Sequence, residues 1–177
     1  MPVACDPSDA VLLRRTARGD EASFATLLRR YERRFYGVAR RLLGDDRDAE
    51  DAVQLAFLRV FARAGEYRDG FAGATWLYRI LTNVCIDAYR KRRAEARALG
   101  TRPLPASAPG PRAERVDLEA ALARLPAEGR VVLLLRYVDD LPYREIARVR
   151  GITVNTVKTH LRRAKLLLRR HLEEPSR

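Results

Sequence analysis

Residues 98–115 (ALGTRPLPASAPGPRAER) hold four of the nine prolines and two glycines of this 177-residue chain. Proline removes a backbone donor and blocks helix, while glycine and serine add freedom, so no packed element is expected to run through this stretch. It reads as a semi-extended linker. The chain must then fold as two pieces, residues 1–97 and 116–177, each within the size range of a small domain. Domains that small bury only about 60% of their chain surface, and docking on a larger partner would fit them.

On both sides of the linker the apolar pattern is helical, and no alternating run argues for a strand. Phe24, Leu27, Leu28, Tyr31, Phe35, Val38, Ala39 and Leu42 follow the i, i+3, i+4, i+7 recurrence of a helix with one buried stripe, closed by Gly44. A second helix is expected from Asp46, burying Ala49, Val53, Ala56, Phe57, Val60 and Ala64 before Gly65. A third runs from about Thr75 to Arg97, with Leu77, Ile80, Leu81, Val84 and Ala88 inward. Beyond the linker come Leu118–Leu125, Arg130–Val138, Tyr143–Arg150 and Val154–Leu172. The fold class is therefore all-α, two small helical domains joined by a Pro/Gly-rich linker.

Charge narrows the function. There are 35 Lys and Arg against 23 Asp and Glu, a formal net charge of +12, and the excess is uneven. Residues 153–170 carry six basic groups and no acid, whereas residues 45–51 (DDRDAED) carry five acids and one Arg. Only three of the basic residues are Lys, and the planar Arg fork suits phosphates and base edges. Cys5 and Cys85 cannot build a disulfide framework or a zinc pattern, so a reducing cytoplasm is the simplest home. No run of eighteen apolar residues suggests membrane insertion, and Met1–Ala10 does not resemble a signal or transit peptide. No enzyme is expected: there is no Gly-rich phosphate loop and no Cys/His or Ser/His constellation. No cofactor or metal is expected either, since the acid cluster lacks the ligand spacing and turn glycine of a calcium loop.

The most specific stretch is Tyr143–Leu161 (YREIARVRGITVNTVKTHL). A helix-turn-helix needs a small residue at the helix crossing, and Ala147 supplies it. It needs a residue tolerant of positive φ in the turn, four positions on, and Gly151 supplies that. Ile146, Ile152, Val157 and Leu161 anchor the core. The second helix then presents Asn155, Thr156, Lys158, Thr159, Arg162 and Arg163, side chains suited to base edges and phosphates in a major groove. Arg150 breaks the pattern, because an apolar residue usually precedes the turn glycine. Either its stem snorkels past the core to water or the packing there is loosened.

Two families carry such a motif. Output domains of response regulators also contain segments like TVKTHL, which keeps a stand-alone helix-turn-helix transcription regulator as the alternative. Leu125–Arg130 and RRAKLLLRR (162–170) instead resemble the C-terminal domain of bacterial sigma factors. In the N-terminal half, Asp48-Ala-Glu-Asp-Ala-Val-Gln54, Phe57-Leu-Arg-Val-Phe61, Thr75-Trp-Leu-Tyr-Arg-Ile80, Asn83 and Arg90-Lys-Arg-Arg93 resemble region 2 of extracytoplasmic-function (group 4) sigma factors of the sigma-70 family. No receiver domain fits the chain. The resemblance implies a sigma region 2 domain at 1–97, a linker at 98–115 and a sigma region 4 domain at 116–177. Its implied partners are core RNA polymerase, through the β′ coiled coil and the β flap, promoter DNA at the −10 and −35 elements, and an anti-sigma factor.

The physical pattern agrees in kind. Leu55 and Leu58 lie off the core stripe of their helix beside Asp48, Asp51 and Gln54, an apolar patch with a polar rim that suits a protein interface. By resemblance this patch grips the β′ coiled coil, although Leu55 stands where Glu is common. Tyr67, Arg68, Phe71, Trp76, Asn83, Arg90 and Lys91 mix aromatic and cationic groups suited to single-stranded DNA. By resemblance they read and open the −10 element. Gly73 stands where Phe is usual, with Phe71 two residues earlier.

Overall fold

The computed structural model describes residues 6–70, 72–100 and 113–173. Among them are eight α-helices and no strand: α1 (Asp9–Thr16), α2 (Glu21–Leu43), α3 (Asp46–Arg63), α4 (Gly73–Ala98), α5 (Ala113–Arg124), α6 (Ala127–Tyr137), α7 (Tyr143–Arg150) and α8 (Val154–Glu173). A 3-10 turn, Ala64–Glu66, follows α3. The expected all-α class is what forms. Most of the expected linker, 101–112, lies outside the described residues, as does Phe71.

Local chemistry sets the helix ends. Side-chain oxygens of Asp20 and Asp45 accept from the amides of Ser23 (3.1 Å) and Asp48 (2.9 Å), filling donors that the first helical turn leaves open. Gly44 ends α2 in the left-handed region at φ 80°. Pro126 and Pro142 precede α6 and α7, where a missing N–H costs nothing. Sequence periodicity did not point to α1, whose amphipathic stretch is only eight residues long. Its Leu12 and Leu13 are nonetheless buried, and Ser8 caps it.

The N-terminal core is aromatic. Phe35 is fully buried, stacked on Phe57 at 5.3 Å between centroids and flanked by Tyr31 and Tyr78. Truncating so large a buried ring costs about 3–5 kcal/mol. The C-terminal core gathers Val131, Val132, Leu134 and Leu135 of α6, Ile146 and Val149 of α7, and Val157, Leu161 and Ala164 of α8.

The two cores are continuous, and α4 joins them. One face of α4 packs on α1, α2 and α3, and another packs on α6 and α7. The single stripe expected for this helix is therefore too narrow. Leu77, Ile80, Leu81 and Val84 are buried as expected, but so are Tyr78, Thr82, Cys85 and Ile86, and Tyr78 and Thr82 are bonded to the C-terminal half. Ala88 is only half-buried. Burial pushes the Cys85 thiol up to about 12, so it stays protonated and unreactive.

Candidate nucleic-acid interface

Helices α7 and α8 meet at the geometry the motif requires. Gly151 sits at φ 65°, a conformation that a side chain with Cβ rarely adopts. The Ile152 amide bonds the Ala147 carbonyl at 3.0 Å, locking the turn. Thr153 then starts α8, its hydroxyl oxygen accepting from the Thr156 amide at 3.1 Å. Ile146, Val157 and Leu161 are buried, as a rigid recognition helix needs.

That packing turns the opposite face of α8 outward. Asn155, Lys158, Thr159, Arg162 and Arg163 are exposed, and Thr156 is half-buried. Arg169 and Arg170 prolong the basic face, and Lys165 lies over the Tyr137 ring at 5.0 Å. Lys158, Arg162 and Arg163 thus form an exposed cationic face.

The residues expected to meet single-stranded DNA are placed less uniformly. Arg90 and Lys91 are exposed near the end of α4. Arg68 is exposed in the loop before it, whereas Tyr67 is buried, edge-on to the half-buried Trp76 at 6.0 Å. Tyr67 thus supports the indole and presents no ring to solvent. A cleft of about 340 Å³ lies beside Trp76, walled by Arg59, Arg68, Arg79, Asn83 and Arg148. Asn83 is exposed on its outer side, while its Oδ1 accepts from Arg150 of α7 at 2.9 Å.

Arg150 itself corrects the sequence expectation. Its stem does not snorkel to water, and its surroundings are not loose. The side chain is 9% exposed, and Nη2 and Nε hold Glu128 of α6 at 3.0 and 3.2 Å. Its Nη1 reaches Asn83 and also Thr82 Oγ1 at 3.1 Å. The apolar plug of the usual motif is replaced by a hydrogen-bonded cation.

Three more contacts cross between the halves, and sequence reasoning missed their residues. Thr75 of α4 donates to Glu145 of α7. Tyr78 donates to Asp139 at 2.6 Å, and burial raises the Asp139 carboxyl above its ordinary range. Burial likewise raises the Tyr78 hydroxyl. Arg130, buried and lying over the Tyr89 ring, donates to the Leu42 carbonyl at 2.6 Å and to the carbonyls of Ala123 and Leu125. A lone Arg before the apolar run VVLLL was the one visible signal for that site.

On α3, Leu55 is 42% and Leu58 67% exposed, with Phe61 exposed beside them. Asp51 and Gln54 are exposed at the rim. Asp48 is half-buried and paired with Arg92 of α4 at 2.7 Å, which fixes the patch to the α4 end.

Comparison with known proteins decides between the two families. The Sigma-70 region 2 family matches residues 27–95, and Sigma-70, region 4 matches 115–168. The ECF RNA polymerase sigma factor SigW of Bacillus subtilis is 32% identical over 178 residues, covering 92% of this chain and 95% of that protein. The chain belongs to the extracytoplasmic-function sigma factors of the sigma-70 family. SigE of Mycolicibacterium smegmatis is 38% identical over 90% of this chain, which spans 66% of SigE. The structure of CnrH in complex with the cytosolic domain of CnrY superposes with a TM-score of 0.74 at 26% identity, covering 96% of this chain and all of that one. As a sigma factor, the chain serves promoter recognition in transcription initiation. No helix among the described residues is long and apolar enough to cross a membrane. No group of three or more His, Cys, Asp or Glu among them could hold a metal ion.

Proposed function

We propose that this sigma factor divides its work among three surfaces. The outward face of α8 (Asn155, Thr156, Lys158, Thr159, Arg162, Arg163) docks in the duplex of the −35 element. The start and outer flank of α4, with the loop before it (Arg68, Trp76, Asn83, Arg90, Lys91), engages the opened strand of the −10 element, with Tyr67 bracing Trp76. Phe71, expected in the same group, lies outside the described residues. The Leu55/Leu58 patch, rimmed by Asp48, Asp51 and Gln54, docks on the β′ coiled coil of core polymerase, and the C-terminal half meets the β flap.

The exposed cationic face of α8, set by a capped and tightly turned motif, is the observation that carries this reading. Arginine and lysine at such positions release counterions from DNA and supply affinity, while Asn155 and the threonines face base edges. The chain is a non-catalytic subunit that acts in the cytoplasm with core polymerase. Two similar structures, of CnrH in complex with the cytosolic domain of CnrY and of RpoE in complex with the anti-sigma factor NepR from Bartonella quintana, support an anti-sigma partner for this chain as well.

Run-off transcription on a genomic template library tests the reading. Core polymerase with this chain should give promoter-dependent transcripts that core polymerase alone does not. Their absence on every template would overturn it.

A further inference from the structure

The cleft beside Trp76 carries more positive charge than its surroundings balance. Arg59 and Arg63 of α3, Arg68 of the following loop, Arg79 of α4 and Arg148 of α7 line it, and Glu66 is the one carboxylate among the lining residues. Glu66 is taken by Arg63 at 2.6 Å, and Arg148 is paired with Glu145 at 2.7 Å. Arg59 reaches Asp87 only at 3.9 Å. Arg68 and Arg79 have no hydrogen-bond or ion-pair partner among the described residues. Guanidinium groups gathered round one hollow repel one another, and a bound anion removes that repulsion.

The hollow also has an aromatic wall. Trp76 is the single tryptophan of the chain. Tyr67 packs against its indole with the ring planes 71° apart, and the half-buried ring still lines the cleft. Asn83 stands at the same wall, its Oδ1 accepting from Arg150, which leaves its amino group to donate. A volume of about 340 Å³ lies at the small end of ligand sites and suits one mononucleotide. Arg79 and Arg148 also line a second cleft, bounded by Gly151 and Thr153 of the α7–α8 turn. Room for a chain of phosphates thus continues past these two arginines.

We propose that this cleft binds a free nucleoside triphosphate, its base against Trp76 and its phosphates held by Arg68, Arg79 and Arg148. Two unpaired guanidinium groups, with a third that shares its charge with Glu145, match a chain of phosphates better than a single small anion. The indole supplies the stacking surface that an unpaired base requires. Because the site takes side chains from both halves, bound nucleotide stabilises their present arrangement and is given up when they part. Arg79 and Arg148 are not among the residues given above to the −10 strand, so this site does not depend on that assignment.

Trp76, being unique, reports on the cleft directly. Its fluorescence in the full chain, free of polymerase, is titrated with ATP, with tripolyphosphate and with a single-stranded oligonucleotide, all without divalent cations. ATP should quench the indole saturably. Tripolyphosphate should leave the emission of the free chain nearly unchanged and displace ATP. Arg79→Ala and Arg148→Ala should each weaken ATP binding by about tenfold, the loss expected of one charge-assisted bond. Arg97→Ala removes an exposed arginine at the far end of α4 and should bind ATP as the parent does. Melts followed by circular dichroism show whether each variant keeps its helices, and ATP should raise the melting temperature of the parent but not that of Arg148→Ala.

Absence of saturable quenching by ATP overturns the proposal, as does an ATP signal that tripolyphosphate fails to displace. Equal weakening by Arg97→Ala also overturns it, reducing the effect to net charge. Quenching by the oligonucleotide alone gives the cleft to a nucleic-acid strand and overturns it as well. Promoter-dependent run-off transcription that survives any of these failures leaves the sigma reading in place.

Discussion

Gly73 opens α4 against the start of α1. A Cβ built there would lie 2.6 Å from Asp9 Cβ and 2.9 Å from both the Asp9 carbonyl carbon and the Ala10 amide nitrogen. Ordinary contact begins near 3.4 Å, and two of the three atoms are backbone, so no rotamer change relieves the overlap. Overpacking of this kind costs about 1–3 kcal/mol. Against it stands the lower chain entropy of alanine in the unfolded state, which favours Gly→Ala by about 0.4–1 kcal/mol at a compatible site. The steric term wins, leaving Gly73→Ala destabilised by about 1–2 kcal/mol. For a chain this long that lowers Tm by roughly 2–8 °C. The displacement would be felt at Asp9, which holds both Arg30 and Tyr31. Urea melts of Gly73→Ala beside Gly65→Ala, whose added Cβ meets nothing within 4 Å, provide the assay and its control. A Gly73→Ala variant as stable as its parent would refute the reasoning, because propensity would then have outweighed the overlap.

On α8, Arg162→Ala and Arg163→Ala should each lower −35 duplex affinity, leave core-polymerase binding intact and reduce the salt slope by about 0.9 per lost phosphate contact. An unchanged slope in salt titrations places the side chain outside the interface. Leu55→Arg should weaken association with core polymerase in a pull-down while the far-ultraviolet circular dichroism stays unchanged; lost helicity would instead make Leu55 a core residue. Asp139 gives a pH prediction. Its folded pKa is raised by burial, so its contribution to stability is complete below the unfolded value of 3.8 and is lost as pH rises through the folded value. Asp139→Asn, which stays uncharged, should therefore melt higher than the parent at pH 7, and the gap should close below pH 3.8; a gap of the same size at both pH values contradicts this.

Much of the fold was readable because one-sided burial leaves a periodic trace. The stripe Leu27, Tyr31, Phe35, Val38 and Leu42 is buried where the periodicity put it, and the turn at Gly151 follows from the residue type that most readily adopts that φ. Helix α1 escaped because eight residues give too short a period. The second flank of α4 escaped for a different reason. Thr82, Cys85 and Tyr78 are mildly polar or small, and polarity alone does not tell a face that meets another polar surface from one that meets water. The candidate sites divide the same way. Residues on α8 and α3 were legible as those a periodic helix turns away from its core. Tyr67 was not, since an aromatic residue in a loop can equally well brace a neighbour as present its ring. Arg150 was visible as an irregularity, but its partners on α4 lie 67 and 68 positions earlier in the chain and Glu128 lies 22 positions earlier, beyond any local pattern.

The division of labour on α8 bears on how such a protein can diversify. Val157, Leu161 and Ala164 do the packing, while Lys158, Arg162 and Arg163 stand exposed on the other face. Exchanging exposed side chains of this sort changes stability by no more than about 0.5 kcal/mol. Duplicated copies of the gene could therefore drift to new duplex preferences in single steps, each intermediate remaining folded. The flank of α4 has no such latitude, because Thr75, Thr82 and Asn83 are tied to partners in the other half. Descendants of one ancestor should then vary more freely at the α8 face than at this α4 flank.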